Sequence, residues 1–314
     1  MRILCPACGE NKVSKSGLAI LSPWVRDLAN VKERSTKYCI CDFCGTGYVV
    51  LSYSEKQLSL LYGGYRGINY QEKRESWEPS YTKNLNDSLD FGHESLAHRK
   101  NQLDKTIDSA VSGFSSIAQV VVDIGGGHGG VIPDWVNLNH KFVLDVSSTT
   151  PAEGIVRIDS WSDLKRVRID FIMICGILEH LNNPINFLNE LVLNVKEINS
   201  QYDSKTPTLF YLEVPAGIPA LRSKWFQTFA LFAANFKCTW RVIGELQTKK
   251  WAKLGPLRIA EHLQFFSPTG LSMLAEHAGL TVLRIEEYEG TFGVIENKGL
   301  KFVSALTLVA SLQI

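Results

Sequence analysis

The chain has 314 residues, 45% of them hydrophobic, with 33 lysines and arginines against 32 aspartates and glutamates. That is more chain than one average domain needs, and its ordinary globular composition excludes a disordered or fibrous protein. The near balance of charge leaves no overall field to gather nucleic acid or an anionic membrane surface.

The start, Met1-Arg2-Ile3-Leu4-Cys5, lacks the apolar stretch of a signal peptide, and no later run reaches the roughly 18 apolar residues of a membrane span. A cytoplasmic chain is therefore expected, and in a reducing compartment its seven cysteines point to metal binding, catalysis or burial rather than to disulfides. Cys5-Pro6-Ala7-Cys8-Gly9 and Cys41-Asp42-Phe43-Cys44-Gly45 are two C-x-x-C knuckles, each followed by a glycine that permits a tight turn. Cys5, Cys8, Cys41 and Cys44 are the expected ligand set for one structural, tetrahedral zinc ion, with Cys39 as the alternative to Cys41 and a redox role for either knuckle as the competing reading. Cys175 and Cys238 read as buried or half-buried thiols. This first stretch, a small zinc-ribbon-like module, runs to residue 54. Residues 55–118 form a polar, tyrosine-rich connector ending in a lid helix around Ser95 to Phe114.

From residue 119 to 314, apolar strands alternate with helical patterns, as in a parallel sheet wrapped by helices. The strands expected are 119–123, 141–145, 154–158, 171–175 and 208–214, closed by 281–286 and 301–310, several apolar throughout as strands buried on both faces should be. Asn183-Pro184 and Ser267-Pro268 are helix starts, and Gly279 is a helix stop. An insertion at about 215–259 carries Arg222, Lys224, Arg241, Lys249, Lys250, Lys253 and Arg258 among Trp225, Phe226, Trp240 and Trp251. Such a mixture suits a nucleotide-linked sugar, or stacking on RNA bases, or simply a solvated surface over core aromatics.

The first of these strands runs into Asp123-Ile124-Gly125-Gly126-Gly127-His128-Gly129-Gly130. Gly125, Gly127 and Gly130 satisfy the spacing of a dinucleotide-binding loop, but charge separates the two candidate ligands. A pyrophosphate would be repelled by the carboxylate just before the glycines, whereas S-adenosylmethionine, with an amino group, a sulfonium and no phosphate, would welcome it. Asp145 ends the second strand, where a carboxylate can accept bonds from both ribose hydroxyls. Asp159, after the third, either accepts from the adenine amino group or caps a turn before Asp163.

The ordered set Asp123-x-Gly125-x-Gly127-x-Gly129, Asp145, Asp170 to Cys175 followed by Gly176-Ile177-Leu178-Glu179-His180-Leu181-Asn182-Asn183-Pro184, Leu212-Glu213-Val214-Pro215, Glu261-His262-Leu263-Gln264-Phe265-Phe266-Ser267 and Ala278-Gly279-Leu280 resembles the motifs of class I S-adenosylmethionine-dependent methyltransferases. The resemblance covers residues 119–314 and is closest to the subgroup acting on sugars, natural products or similar small metabolites, which often carries an N-terminal zinc module. It implies an α/β, Rossmann-like sheet, mostly parallel with the last strand antiparallel. It also implies S-adenosylmethionine held by Asp123, Gly125, Gly127, Gly129, Asp145, Asp159 and Cys175, besides structural zinc. The chain departs from the pattern before the fifth strand, where the usual Pro-Gly-Gly turn is replaced by the longer polar loop Lys196 to Pro207.

Methyl transfer from a sulfonium is an in-line displacement, so the protein positions the acceptor, excludes water and removes one proton where the nucleophile requires it. The resemblance favours His262 as the general base with Glu261 beside it; His180, at the carboxyl end of the fourth strand, is the second candidate, and a purely scaffolding histidine the third reading. Tyr62, Tyr65 and Arg66 are implied to cover the site. The expected acceptor is a small molecule such as a nucleotide-linked sugar. An RNA methyltransferase whose zinc module grips nucleic acid, and a non-catalytic methyltransferase-like binding protein, are the alternatives. The sequence leaves the acceptor, the methylated atom and the oligomeric state open.

Overall fold

The computed structural model describes residues 4–91, 93–137, 140–164, 166–203, 206–219, 257–296 and 299–313, with Thr228, Leu231, Phe232 and Phe236. Most of the basic and aromatic residues singled out in the insertion, and Cys238, lie outside the described residues.

The central sheet has seven strands. In chain order they are β4 (Val121–Ile124), β5 (Lys141–Leu144), β6 (Val156–Ile158), β7 (Phe171–Cys175), β8 (Thr208–Pro215), β11 (Thr281–Glu296) and β12 (Gly299–Leu312), laid side by side as β6-β5-β4-β7-β8-β12-β11. The first five run parallel, and β12 is antiparallel to both β8 and β11. This is the Rossmann-like sheet expected from the sequence, mostly parallel with the last strand antiparallel. Its order reverses at β4, so a crevice opens over the carboxyl ends of β4 and β7, where open α/β sheets take their ligands.

Alternation along each strand divides two cores. Val121, Phe171, Met173, Leu209 and Tyr211 face one side, against Leu103 and Ile107 of helix α5 (His93–Ala110). Val122, Ile172, Ile174, Phe210 and Leu212 face the other, against Leu188, Leu191, Val192 and Val195 of α6 (Pro184–Asn199) and Leu271 and Leu274 of α7 (Pro268–His277). Both expected caps are present: Asn183 accepts from the Asn186 amide and Ser267 from the Gly270 amide, each followed by proline in the first turn. Gly279, at φ 81°, ends α7.

The amino-terminal part builds a second sheet of five strands, ordered β10-β3-β2-β1-β9. β1 (Val13–Leu21), β2 (Ser35–Cys41) and β3 (Gly47–Val49) form an antiparallel meander, with α1 (Pro23–Ala29) after β1. Its outer strands are supplied from far along the chain: β9 (Leu257–Ile259) lies parallel to β1 and β10 (Gln264–Phe265) antiparallel to β3. The core beneath joins Trp24, Val25, Tyr38 and Val49 to Leu61, Tyr70 and Leu263. Of the connector, α2 (Glu55–Tyr62) and α3 (Ile68–Trp77) belong to this layer, while α4 (Lys83–Phe91) leads into α5. Ser54 opens α2 with a reciprocal capping box to Gln57.

Candidate active site and metal centre

The two cysteine knuckles meet. The Cys5 and Cys44 sulfurs are 3.6 Å apart, as are those of Cys8 and Cys41, and all four lie within 4.8 Å of one another. A tetrahedron with zinc–sulfur bonds of about 2.3 Å has edges of about 3.8 Å, so the group has the size and shape of a four-thiolate zinc shell. The backbone repeats itself in the two knuckles. Gly9 donates to the Cys5 carbonyl at 2.9 Å and Gly45 to the Cys41 carbonyl at 3.1 Å, both glycines at positive φ (73° and 77°). The Cys5 amide reaches Glu10 and the Cys41 amide Thr46, each at 2.9 Å. Cys39 stands outside the group, on β2 and buried. Burial pushes the Cys8 thiol up to about 12, while the bond from Cys5 pulls Cys44 down to about 5. Four buried sulfurs gathered this closely are a donor set for a cation between them.

At the head of the main sheet, the glycine loop leaves β4 with Gly125, Gly127 and Gly129 at φ 69°, 56° and 77°. Side chains are shut out as well: a Cβ on Gly125 would stand 2.3 Å from Ile177 Cδ1, and one on Gly126 2.1 Å from Asp123 Oδ2. Asp145 binds the loop from β5, accepting from the Gly127 amide at 2.8 Å and the Ser147 amide at 2.6 Å. Turns, and no helix, follow the loop through residue 137. The ready anion site of a dinucleotide fold is a helix N-terminus at that place, so the described residues lack the seat for a pyrophosphate.

Asp123 lies beneath the loop at 1% exposure, and among the described residues its Oδ1 has no hydrogen-bond partner. Burial raises its pKa to about 7 against the pull of Arg99. Arg99 comes from α5 and pairs with the buried Glu213 at 2.6 Å, while Tyr288 donates to the same carboxylate at 2.9 Å. Cys175, ending β7, adjoins this group, and burial holds it as a thiol. Asp159 is less engaged: its side chain is 92% exposed and 3.6 Å from Arg157, and the adjacent turn is capped by Asp163, which accepts from the Asp159 and Ser160 amides at 3.1 and 3.0 Å.

Beside the glycine loop, β7 continues into a 3-10 turn, Leu178–His180, and the chain returns at Glu261-His262 to meet it. The Leu263 amide donates to the Glu179 carbonyl at 2.7 Å, and Gln264 Nε2 to the Leu181 carbonyl at 2.7 Å, which locks the two segments together. The rings of His180 and His262 stand edge to face, centroids 4.7 Å apart. Tyr62 shares a 3.1 Å hydrogen bond with His180 Nδ1, and Tyr65 packs against Tyr62 with the Arg66 guanidinium over its ring. The structure thus brings both histidines and the two connector tyrosines to one cluster. Desolvation lowers His180 to about 4 and His262 to about 3, so both imidazoles are neutral at pH 7 with a lone pair to offer.

Glu261 does not share the open face. It is buried, and Tyr70 of α3 donates to its Oε1; Arg74 in turn donates to Tyr70 Oη at 2.9 Å and to Glu78 at 3.2 Å, and Glu78 accepts from Trp24 Nε1 at 3.2 Å. Sequence reasoning gave no site role to Tyr70, Arg74 or the buried Glu179. Glu179 alone carried a signal, its place beside His180 in the motif stretch that becomes the 3-10 turn after β7.

No protein-family model matches the sequence, and no match to a curated protein was found. Solved structures of similar shape include one determined for the conversion of a disulfide bond into a thioacetal group during echinomycin biosynthesis, at 16% identity and a TM-score of 0.39, covering 68% of this chain and 81% of that one. A SAM-dependent methyltransferase from Anabaena variabilis ATCC 29413 is similar at 14% identity and a TM-score of 0.38, over 76% of this chain and 94% of that one. Magnesium protoporphyrin IX methyltransferase from Synechocystis PCC 6803 with bound SAH is similar at 13% identity and 0.35, over 76% and 91%. At such TM-scores the functional reading rests on the site itself.

Proposed function

We propose that the chain is an S-adenosylmethionine-dependent methyltransferase acting on a small-molecule acceptor, with zinc held structurally by Cys5, Cys8, Cys41 and Cys44. The observation that carries the reading is Asp123: a carboxyl group buried at the switch point of a parallel sheet, with one oxygen unpartnered. A buried charge needs a paired cation, and S-adenosylmethionine supplies one without phosphates. Asp145 keeps lone pairs for the ribose hydroxyls beyond the two amides it binds. Gly125, Gly127 and Gly129 let the backbone approach the ligand, and Cys175 borders the same crevice. The exposed Asp159 is retained only as a contact to the adenine edge.

The acceptor belongs over His180 and His262, under Tyr62 and Tyr65. There the imidazole of His262 takes the acceptor's proton as the methyl group leaves the sulfonium, and Glu261, fixed by Tyr70, sets the segment that presents it. A nucleotide-linked sugar is our choice of acceptor, on the composition of the insertion. We place the protein in a reducing compartment, the cytoplasm; among the described residues no helix is long and apolar enough to cross a membrane.

The test is direct. S-adenosylmethionine should raise the melting temperature and bind with one-to-one stoichiometry by calorimetry, while NAD should do neither. Labelled methyl transfer should then appear with a panel of nucleotide-linked sugars. Binding of NAD in place of S-adenosylmethionine would end the proposal, and methylation of RNA with none of the sugars would move the acceptor to nucleic acid.

A further inference from the structure

The carboxyl end of β7 holds a donor set that a single base does not require. Glu179, His180 and His262 each present one ligating atom, and these atoms lie within 4.8 Å of one another. Glu179 Oε1 is 3.8 Å from His180 Nε2. Glu179 is 2% exposed, and among the described residues its Oε2 has no hydrogen-bond partner. A buried carboxylate oxygen left unpaired is costly unless a cation or donor meets it.

We propose that Glu179, His180 and His262 form a second metal site, separate from the four cysteines, that takes one divalent first-row transition ion through one carboxylate and two imidazoles and leaves its outer positions open to the acceptor. Metal–ligand bonds of about 2.1 Å place neighbouring ligand atoms about 3 to 3.5 Å apart, so closing the set around an ion needs side-chain movements of about an ångström. The backbone is already braced for it by the Leu263-to-Glu179 bond at 2.7 Å. Tyr62 sits at His180 Nδ1, 3.1 Å away, where its oxygen can accept the Nδ1 proton and leave the Nε2 lone pair towards Glu179. A hydrogen bond from the far side of the ring is how ligating histidines are oriented. Glu179 is buried while both histidines are only partly so, which seats the ion at the bottom of the crevice with one side facing the acceptor. Two nitrogens and one oxygen, without sulfur, suit manganese, iron(II), cobalt or zinc better than magnesium or calcium.

The inference rests on the acceptor lying in this crevice, and it recasts His262 from free base to ligand. An acceptor hydroxyl bound to the ion becomes more acidic. Its oxygen forms the bond to the methyl carbon as the carbon–sulfur bond breaks, the sulfonium leaves as a neutral thioether, and the hydroxyl proton passes to water.

The experiment uses the full chain with its cysteine site filled by zinc, titrated with Co2+ and followed by visible absorption. One Co2+ per chain is expected, with the weak bands of nitrogen and oxygen ligation and no sulfur-to-cobalt charge transfer. Affinity should fall at least about tenfold in Glu179→Gln, His180→Ala and His262→Ala, while zinc content stays at one per chain and the melting temperature shows that each variant is folded. No Co2+ bound, or binding unchanged in all three variants, overturns the metal site. Because S-adenosylmethionine binding is measured separately by calorimetry, its failure would sink the methyltransferase reading and leave the metal result standing.

Discussion

Under the proposed function, Asp123 couples cofactor binding to pH. Its pKa is raised to about 7, burial being the main cause, and only the carboxylate attracts a cationic ligand. Affinity for S-adenosylmethionine should therefore hold above pH 7 and fall by up to about tenfold per unit below it. Asp123→Asn should bind weakly and lose that dependence, as calorimetry across pH 6 to 8 would show. Stability of the free protein runs the opposite way. The folded state holds this proton more tightly than the unfolded one, so the contribution is present at low pH and is lost as pH rises through about 7. For His262, replacement by alanine should reduce turnover about 100-fold or more with cofactor affinity unchanged, whether the imidazole acts as base or as ligand. Undiminished turnover would remove it from the chemistry.

At the scale of elements, helix α7 is seated directly on the second cysteine knuckle. Ser267 donates to the Cys44 carbonyl, and a Cβ on Gly270 would lie 1.9 Å from Thr46 Oγ1. Gly270→Ala must therefore push the helix and the knuckle apart. A loss of about 1–3 kcal/mol is expected from denaturant unfolding, together with faster zinc release to a chromogenic chelator. Much of this level was legible in the sequence. The strands β4, β7 and β8 announced themselves as apolar runs, Asn183-Pro184 and Ser267-Pro268 marked helix starts, and the paired C-x-x-C knuckles marked the four-cysteine cluster. What could not be read were partnerships without a local period. Nothing near Tyr70 indicates that its hydroxyl meets Glu261, and nothing near Ala19 that it pairs with Leu257. The glycine loop was recognised from spacing, but the turns that follow it in place of a helix were not, since Val131 and Ile132 are as compatible with one as with the other.

Across the whole molecule, the cysteine-bearing module and the part that carries the proposed active site are not separable pieces. The five-stranded sheet takes its outer strands, β9 and β10, from residues on either side of Glu261-His262. Chelating the zinc should therefore disturb the catalytic cluster as well as the module. The expected result is a single unfolding transition at lower temperature, with cofactor-dependent turnover lost in parallel and restored by added zinc. Two separate transitions, with turnover surviving the first, would show the halves to be independent. A fragment ending at residue 118 should fail to give a dispersed NMR spectrum even with zinc, because β1 and β3 would each keep an unpaired edge.

The return of β9 and β10 to the front sheet also constrains how this chain can diverge. The insertion proposed to choose the acceptor leads into β9, which pairs with Ala19, Ile20 and Leu21, and β10 just beyond pairs with Gly47 and Tyr48. Grafting that segment alone into a homologous scaffold would leave its hydrogen-bonding register unmatched. A transplant of new selectivity would have to carry the cysteine-bearing front end with it, so the two regions should be inherited as one unit.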